Sequence, residues 1–414
     1  MIHVVHPHGN AFVRELLESL VESEMLHTYH TTIGFRPDAH WISMLPQALE
    51  REIKRRSYAL PSDRMITQPW REAVRHLARP LGLSWLTRHE SGWASVDRVY
   101  QELDRAVARR LDRNGRTASA IYAYEDGALA SFESAHQRGL KRIYDLPIGY
   151  WREAQRIFTE EAELQPAWSA TLGGLNDSSQ KLAQKDRELD LSSHVVVASE
   201  FTRSTLQRFP RKLAAQVSVI PYGAPAAISE TNLKERLLQR SDGPLRVLFI
   251  GGLSQRKGLS YLFESIAQLG STAELTVVGR PAGSSCAALE KGLAATNYYP
   301  SLPHSELFQL MENQDVLVLP SLFEGFGLVL LEAMAKGLPI VATEHTAAPD
   351  FISSAQEGII VPIRDADALA QAFLDLSEDR SRRESMALNA RNLAAQLNWR
   401  SYRKSISRLL RSVC

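Results

Sequence analysis

The stretch SLFEGFGLVLLEAMAKGLPIVAT, residues 321–343, decides the fold. It follows the apolar run DVLVLP and ends in another, PIVAT, each short enough for a strand buried on both faces. Between them SLFEGFG carries glycines at a turn, and GLVLLEAMAKG has helical spacing with Gly337 placed to close it. Strand, loop, helix and strand in that order make one unit of a parallel sheet.

The same alternation runs through the chain. Short β-branched runs predict strands at IHVVH, HTYHTTIG, ASAIYAYE, LKRIYDLP, HVVVAS and VSVIPYG in the first half. In the second half LRVLFIGG, ELTVVGR, VLVLP, PIVAT and GIIVPI do the same. A chain of 414 residues is too long for one ordinary core. Two doubly wound, Rossmann-like α/β domains follow, 1–222 and 223–395, joined through the Pro- and Gly-bearing segment around one polar helix between PYGAPAAISE and SDGPLRVLFIGG.

Bulk composition excludes several classes. Hydrophobic content of 44% with 23% charged residues describes a soluble globular protein. Lys+Arg 48 against Asp+Glu 47 leaves a net charge of +1, so nucleic acid is not an expected partner. The two cysteines, Cys286 and Cys414, have no metal-ligand spacing and point to a reducing compartment. No signal-peptide pattern opens the chain and no run approaches the roughly 18 apolar residues of a spanning helix, so a cytoplasmic protein is expected. Residues 41–110 are rich in Arg and Trp, and REIKRR and WREAVRHLARPLGLSWLTR have basic faces. These are either solvated helix surfaces or a surface for an anionic lipid or phosphate-bearing acceptor, which makes peripheral contact at the inner membrane face an expectation.

The chemistry concentrates after DVLVLP. In an open parallel sheet, ligands bind at the carboxyl ends of strands where loops enter helices. A helix N-terminus there suits a phosphate. Gly325 and Gly327 let the backbone approach a ligand. Glu324 and Glu332 can each accept hydrogen bonds from sugar hydroxyls. A phosphate between two hydroxyl-bearing rings is a nucleotide sugar. A second segment, VLFIGGLSQRKGLSYLFESI, is a strand, a Gly-rich loop with two cations, and a helix, which is a diphosphate grip.

The whole string P-S-x-x-E-G-F-G-x-x-x-x-E-A-M-A-x-G-x-P-I-V-A-T resembles the signature of the family 4 glycosyltransferases, which have the GT-B fold of two Rossmann-like domains facing across a cleft. The resemblance gives Glu324 to the donor sugar hydroxyls, Glu332 to the ribose, and the backbone amides around Phe326, Gly327 and Leu328 to the sugar and diphosphate. The loop after VLFIGG resembles the family's G-R-L-x-x-x-K-G: Lys257 matches the lysine, and Gly252, beside Gly251, stands at the usual arginine, so that role falls to Arg256. ELTVVGRPAG, with Arg280, and NYYPSLPHSELFQLMENQDVLVLPS match stretches whose loops line the nucleobase. HVVVASEFTRSTL with VIPYG looks like the end of the first domain, and 396–414, LNWRSYRKSISRLL onward, like the helix that returns to it. Near the N-terminus, VVHPHGNAFVREL matches a glycine-bearing loop that meets donor phosphates, making Gly9 and Asn10 contacts.

The first domain matches more loosely. Where the family often has a histidine after a strand, SAIYAYEDGALASF has Tyr124, next to Glu125 and Asp126. Either the histidine role is absent or Glu125 or Asp126 orients the acceptor hydroxyl. Three further features read as structural. His3 and His6 fall on opposite faces of one strand, which argues against a metal site with His8. Asp365 and Asp367 sit where a helix begins, so capping accounts for them. EHTAAPDFI departs at Thr346 and Asp350 from the family's Gly-Gly pair and glutamate.

The expected function is a retaining, metal-independent sugar transfer from a UDP- or GDP-sugar to a hydroxyl acceptor, with no cofactor. Rivals are a catalytically silent nucleotide-sugar-binding partner of another transferase, and a GT-B epimerase of the nucleotide sugar.

Overall fold

The structure is a computed structural model that describes residues 1–37, 50, 53–78, 80–113, 118–240, 243–283, 285–352, 354 and 356–414. Among these, seven strands form the first sheet: β1 (Ile2–Val5), β2 (Leu26–Thr31), β3 (Met65–Thr67), β4 (Ala120–Tyr124), β5 (Lys141–Leu146), β6 (His194–Val197) and β7 (Gln216–Val219). Six form the second: β8 (Leu245–Ile250), β9 (Ala273–Val278), β10 (Asn297–Tyr299), β11 (Val316–Leu319), β12 (Ile340–Thr343) and β13 (Gly358–Val361). The orders are β3-β2-β1-β4-β5-β6-β7 and β10-β9-β8-β11-β12-β13, and every pairing is parallel.

Central strands such as β4, β11 and β12 are buried on both faces, which is why their sequences read as unbroken apolar runs. β3 and β10 are not among the strands expected: each is three residues at a sheet edge, partly exposed, and too short to carry a period. REIKRR lies partly outside the described residues, which take it up from Ile53.

Each sheet reverses its winding between two strands, β1 and β4 in the first domain and β8 and β11 in the second. Loops leaving these strands open the crevice in which doubly wound proteins bind ligands. The motifs found in the sequence occupy all four loops. The two in the second domain touch: Gly258 has φ +69°, and a Cβ there would lie 2.0 Å from the Pro320 carbonyl oxygen, so only glycine fits. The Leu322 amide donates to the Arg256 carbonyl at 2.9 Å.

The domains meet through buried polar bonds. Glu161, fully buried on the helix Trp151–Leu164, accepts from Gln255 at 2.7 Å and from Arg364 at 2.7 Å. The Gln255 amide donates to the Thr171 hydroxyl at 2.8 Å. The last helix, Trp399–Val413, buries Tyr402, Ile406 and Leu410, one face at i, i+4 and i+8, and lies against the helix Ala11–Glu22. There Ser19 donates to the Arg403 carbonyl at 2.9 Å and Arg403 pairs with Glu15 at 2.5 Å.

Candidate functional site

The loop after β11 places Glu324 beneath two cations from the loop after β8. The Lys257 ammonium is ion-paired to the Glu324 carboxylate, and the Arg256 guanidinium reaches the same oxygen at 3.3 Å while donating to the Phe323 carbonyl at 2.8 Å. Lys257 is buried, which lowers its pKa, the Glu324 charge acting in the opposite direction. Burial pushes the Glu324 carboxyl up, but the charges and hydrogen bonds of Lys257 and Arg256 outweigh it and hold it below the ordinary carboxylate value. Two cations on one carboxylate leave a positive excess at the crevice.

Gly327, in the left-handed region at φ +86°, caps the helix Leu328–Ala335. The amides of Phe326, Gly327 and Leu328 have no acceptor among the described residues, so the helix start presents free donors. Gly325 makes the loop's closest approach to the first domain: a Cβ would lie 1.9 Å from the Pro147 carbonyl oxygen. Its own carbonyl accepts from the Ser199 hydroxyl at 2.6 Å and the Thr202 hydroxyl at 2.9 Å. Glu332 is half-buried on the same helix, with its carboxyl raised by burial against the charge of His304. Arg280 stands exposed beyond β9, 3.3 Å from the Ser301 hydroxyl.

Across the crevice, the loop after β4 holds Glu125 and Asp126. Burial raises the Glu125 carboxyl to about 7, opposed by Lys185, whose ammonium is 3.4 Å away. Asp126 adopts φ 70°, an unusual conformation for a non-glycine residue, and its amide donates to Glu188 at 3.0 Å. Its carboxylate faces Lys185 at 3.5 Å and Lys181 at 3.9 Å. Tyr124 is only 3% exposed, its ring 4.7 Å from His6, so it faces the core. His6 lies past the end of β1 rather than within it, and His3 meets His30 at 3.2 Å between ring nitrogens.

An interdomain cavity of about 360 Å³ joins the two sides, lined by Glu125 and Lys185 from one domain and by Gly252, Ser254, Arg256 and Phe323 from the other. It brings Glu125, Gly252 and Arg256 to one space. Asp126, Arg280 and Glu332 do not line it, nor do Glu324, Lys257, Gly251, Gly325, Phe326, Gly327 and Leu328, and Gly9 and Asn10 line a separate cavity. Lys185 escapes sequence reasoning because its pairing to Glu125 spans a distance that no local pattern encodes. The 3-10 turns Pro166–Thr171 and Gly173–Leu175, whose Thr171 and Gly173 also wall the cavity, give no signal for the same reason. Asp365 caps its helix by accepting from the Ala368 amide at 2.8 Å. Among the described residues, one group has ligand atoms close enough for a metal, His89, Glu90 and Asp177, and the Lys181 ammonium already sits 3.0 Å from Asp177.

Comparison with known proteins bears on the domain that carries Glu324 and Lys257. Residues 231–393 match the model of the family described as glycosyl transferases group 1. The amylovoran biosynthesis glycosyltransferase AmsK of Erwinia amylovora is 31% identical over 180 residues, covering 40% of this chain and 43% of that protein. The matched stretch thus spans about two-fifths of the length of the first curated relatives. In solved structures the likeness extends over both domains. Sucrose-phosphate synthase from Thermosynechococcus elongatus aligns with a TM-score of 0.66 at 20% identity, covering 100% of this chain and 98% of that one. HepE of Anabaena, solved in complex with UDP and glucose, aligns with a TM-score of 0.62 at 17% identity over 99% of each chain. At these identities the likeness establishes the fold, which is GT-B.

Proposed function

We propose that the chain is a family 4 glycosyltransferase that moves a sugar, with retention, from a UDP- or GDP-sugar to a hydroxyl acceptor. The observation that carries this reading is Glu324 held by Lys257 and Arg256 at the winding reversal of the second domain, beside free amides at a helix start. In the resting site the carboxylate pairs with both cations and offsets one of their two charges. A bound diphosphate takes over both, which releases Glu324 to accept hydrogen bonds from the sugar. When the bond from the anomeric carbon to the diphosphate oxygen breaks, its electron pair stays on the diphosphate, where Lys257 and Arg256 meet the growing charge. The acceptor oxygen then bonds that carbon and gives up its proton. Of the two carboxyls expected to serve the acceptor, Glu125 faces the cavity and is assigned as proton acceptor. No step needs a metal or a cofactor. The UDP and glucose held by HepE, which shares the fold, support a nucleotide-sugar donor.

The test is release of nucleoside diphosphate from a panel of UDP- and GDP-sugars with and without sugar acceptors. A base with pKa near 7 works when deprotonated, so the rate is expected to rise with pH through about 7 and level off above it. Glu125→Gln is expected to remove that limb and lower the plateau by about 10²-fold or more. Tight donor binding with no release under any acceptor points instead to the silent binding partner.

Membrane contact is proposed at the segment around the helix Trp70–Ala78. Trp70, Leu77, Leu81, Trp85, Trp93 and Val96 are exposed there, and the Arg71 guanidinium lies 4.4 Å from the Trp93 ring centre. Exposed tryptophans with arginines are the chemistry of a bilayer interface. Trp70→Ala with Trp85→Ala is expected to reduce sedimentation with anionic vesicles several-fold while leaving the melting temperature unchanged.

A further inference from the structure

The loop after β1 opens into a cavity of its own, about 270 Å³, whose wall includes His8, Gly9, Asn10, Arg55, Arg56 and Arg75. Among the described residues, no carboxylate and no residue of the second domain lines it. Behind the wall stands Glu72, fully buried, accepting from Arg75 at 2.8 Å, from Arg56 at 3.4 Å and from His76 at 2.9 Å. That carboxylate holds Arg56 and Arg75 in place. Arg14 fixes the other side: its guanidinium donates to the Gly9 carbonyl at 2.9 Å and the Ser57 carbonyl at 2.6 Å, tying the β1 loop to the segment that carries Arg55 and Arg56. The helix Ala11–Glu22, capped by Asn10, points its N-terminus at the same space.

Planar guanidinium groups converging from two segments beside a helix start are suited to a phosphate. The β1 loop that walls the cavity leaves the sheet beside β4, whose own loop carries Glu125 into the interdomain cavity. The Phe12 ring stacks on Tyr222 with centroids 4.7 Å apart, and Tyr222 meets Phe326 of the glutamate loop at 5.1 Å. We propose that this cavity binds the phosphate of a phosphorylated acceptor, holding the acceptor by its charged end while its hydroxyl reaches the donor. Gly9 and Asn10 then serve the acceptor rather than the donor. The word acceptor rests on the transfer reading; the phosphate site does not.

The experiment is calorimetric titration of the full chain with inorganic phosphate in the presence of saturating UDP, or of GDP where GDP is the nucleotide that raises the melting temperature. Nucleotide fills the Lys257–Arg256 grip, so the phosphate that still binds reports the second site. Binding is expected to persist and to weaken at least about tenfold in Arg55→Gln, the loss of one charge-assisted contact. Lys54→Gln, an exposed cation next in sequence that does not line the cavity, is expected to bind as the parent does. Phosphate displaced by nucleotide, absent altogether, or indifferent to Arg55→Gln overturns the proposal. Two arms identify the source: competition by glucose 6-phosphate marks a soluble acceptor. Arg55-dependent sedimentation with phosphatidylcholine vesicles containing phosphatidic acid, but not with phosphatidylcholine alone, marks a lipid-borne one. If neither competes, the acceptor assignment falls. If no nucleotide binds while Arg55-dependent phosphate binding remains, the donor reading fails and the site stands.

Discussion

Lys257→Met is expected to lower turnover by about 10²–10³-fold, the usual cost of removing one preorganised charge from a developing anion. The same change also strikes the resting protein, because Glu324 loses its closest partner and keeps, among the described residues, only Arg256 and the Ser321 hydroxyl, 3.4 Å away. Stripping one side of a buried ion pair costs about 3–5 kcal/mol. Removing both charges together separates the two consequences. Lys257→Met with Glu324→Gln is expected to recover most of the stability, since no buried charge is left bare, and none of the activity. Chemical denaturation and diphosphate release on the parent, Lys257→Met, Glu324→Gln and the double variant give the coupling in each quantity. Equal losses of stability and activity that both recover in the double variant would confine the pair to a structural role.

The second large effect belongs to Gly325. An alanine methyl would drive into the Pro147 carbonyl, and relief of that clash is expected to part the domains. Overpacking of this kind costs about 1–3 kcal/mol. Separation also breaks the bonds from Ser199 and Thr202, worth about 1 kcal/mol each. Gly325→Ala is expected to lower the melting temperature, enlarge the radius of gyration in small-angle scattering, and cut turnover by more than tenfold. Ser199→Ala removes one bond without the clash and is expected to show a smaller loss with unchanged dimensions. A Gly325→Ala protein as compact as the parent would rule out this approach of the two backbones.

Much of this is legible in the sequence because it is local. Strands buried on both faces announce themselves as apolar runs, and loops that enter helices announce themselves by glycine and cap residues. The string from Pro320 to Thr343 therefore carries the second domain and its glutamates. What it leaves hidden is pairing at a distance. Sequence alone sends Glu324 outward to hydroxyls, whereas the structure shows it satisfied by Lys257 and Arg256 from another loop. The same holds for Lys185 beside Glu125 and Glu72 behind the arginine wall. A carboxylate's partner is set by which crossover brings which loop alongside, and that is a property of the strand order. Tyr124 goes the other way: its position in the strand is legible, and its inward orientation follows only from the ring of His6 against it.

The chain passes between the domains twice, and the two passages lie side by side. Where the first leaves, the Ala224 amide donates to the Leu397 carbonyl at 2.6 Å, and Gly223 packs against the backbone of Trp399 where the second returns. Two parallel straps bonded to each other bend about a shared axis and resist twist, as a door on paired pins swings but does not swivel. Any relative movement of the domains is therefore expected to pivot at this paired crossing and to return Glu125 and Arg256 to one register.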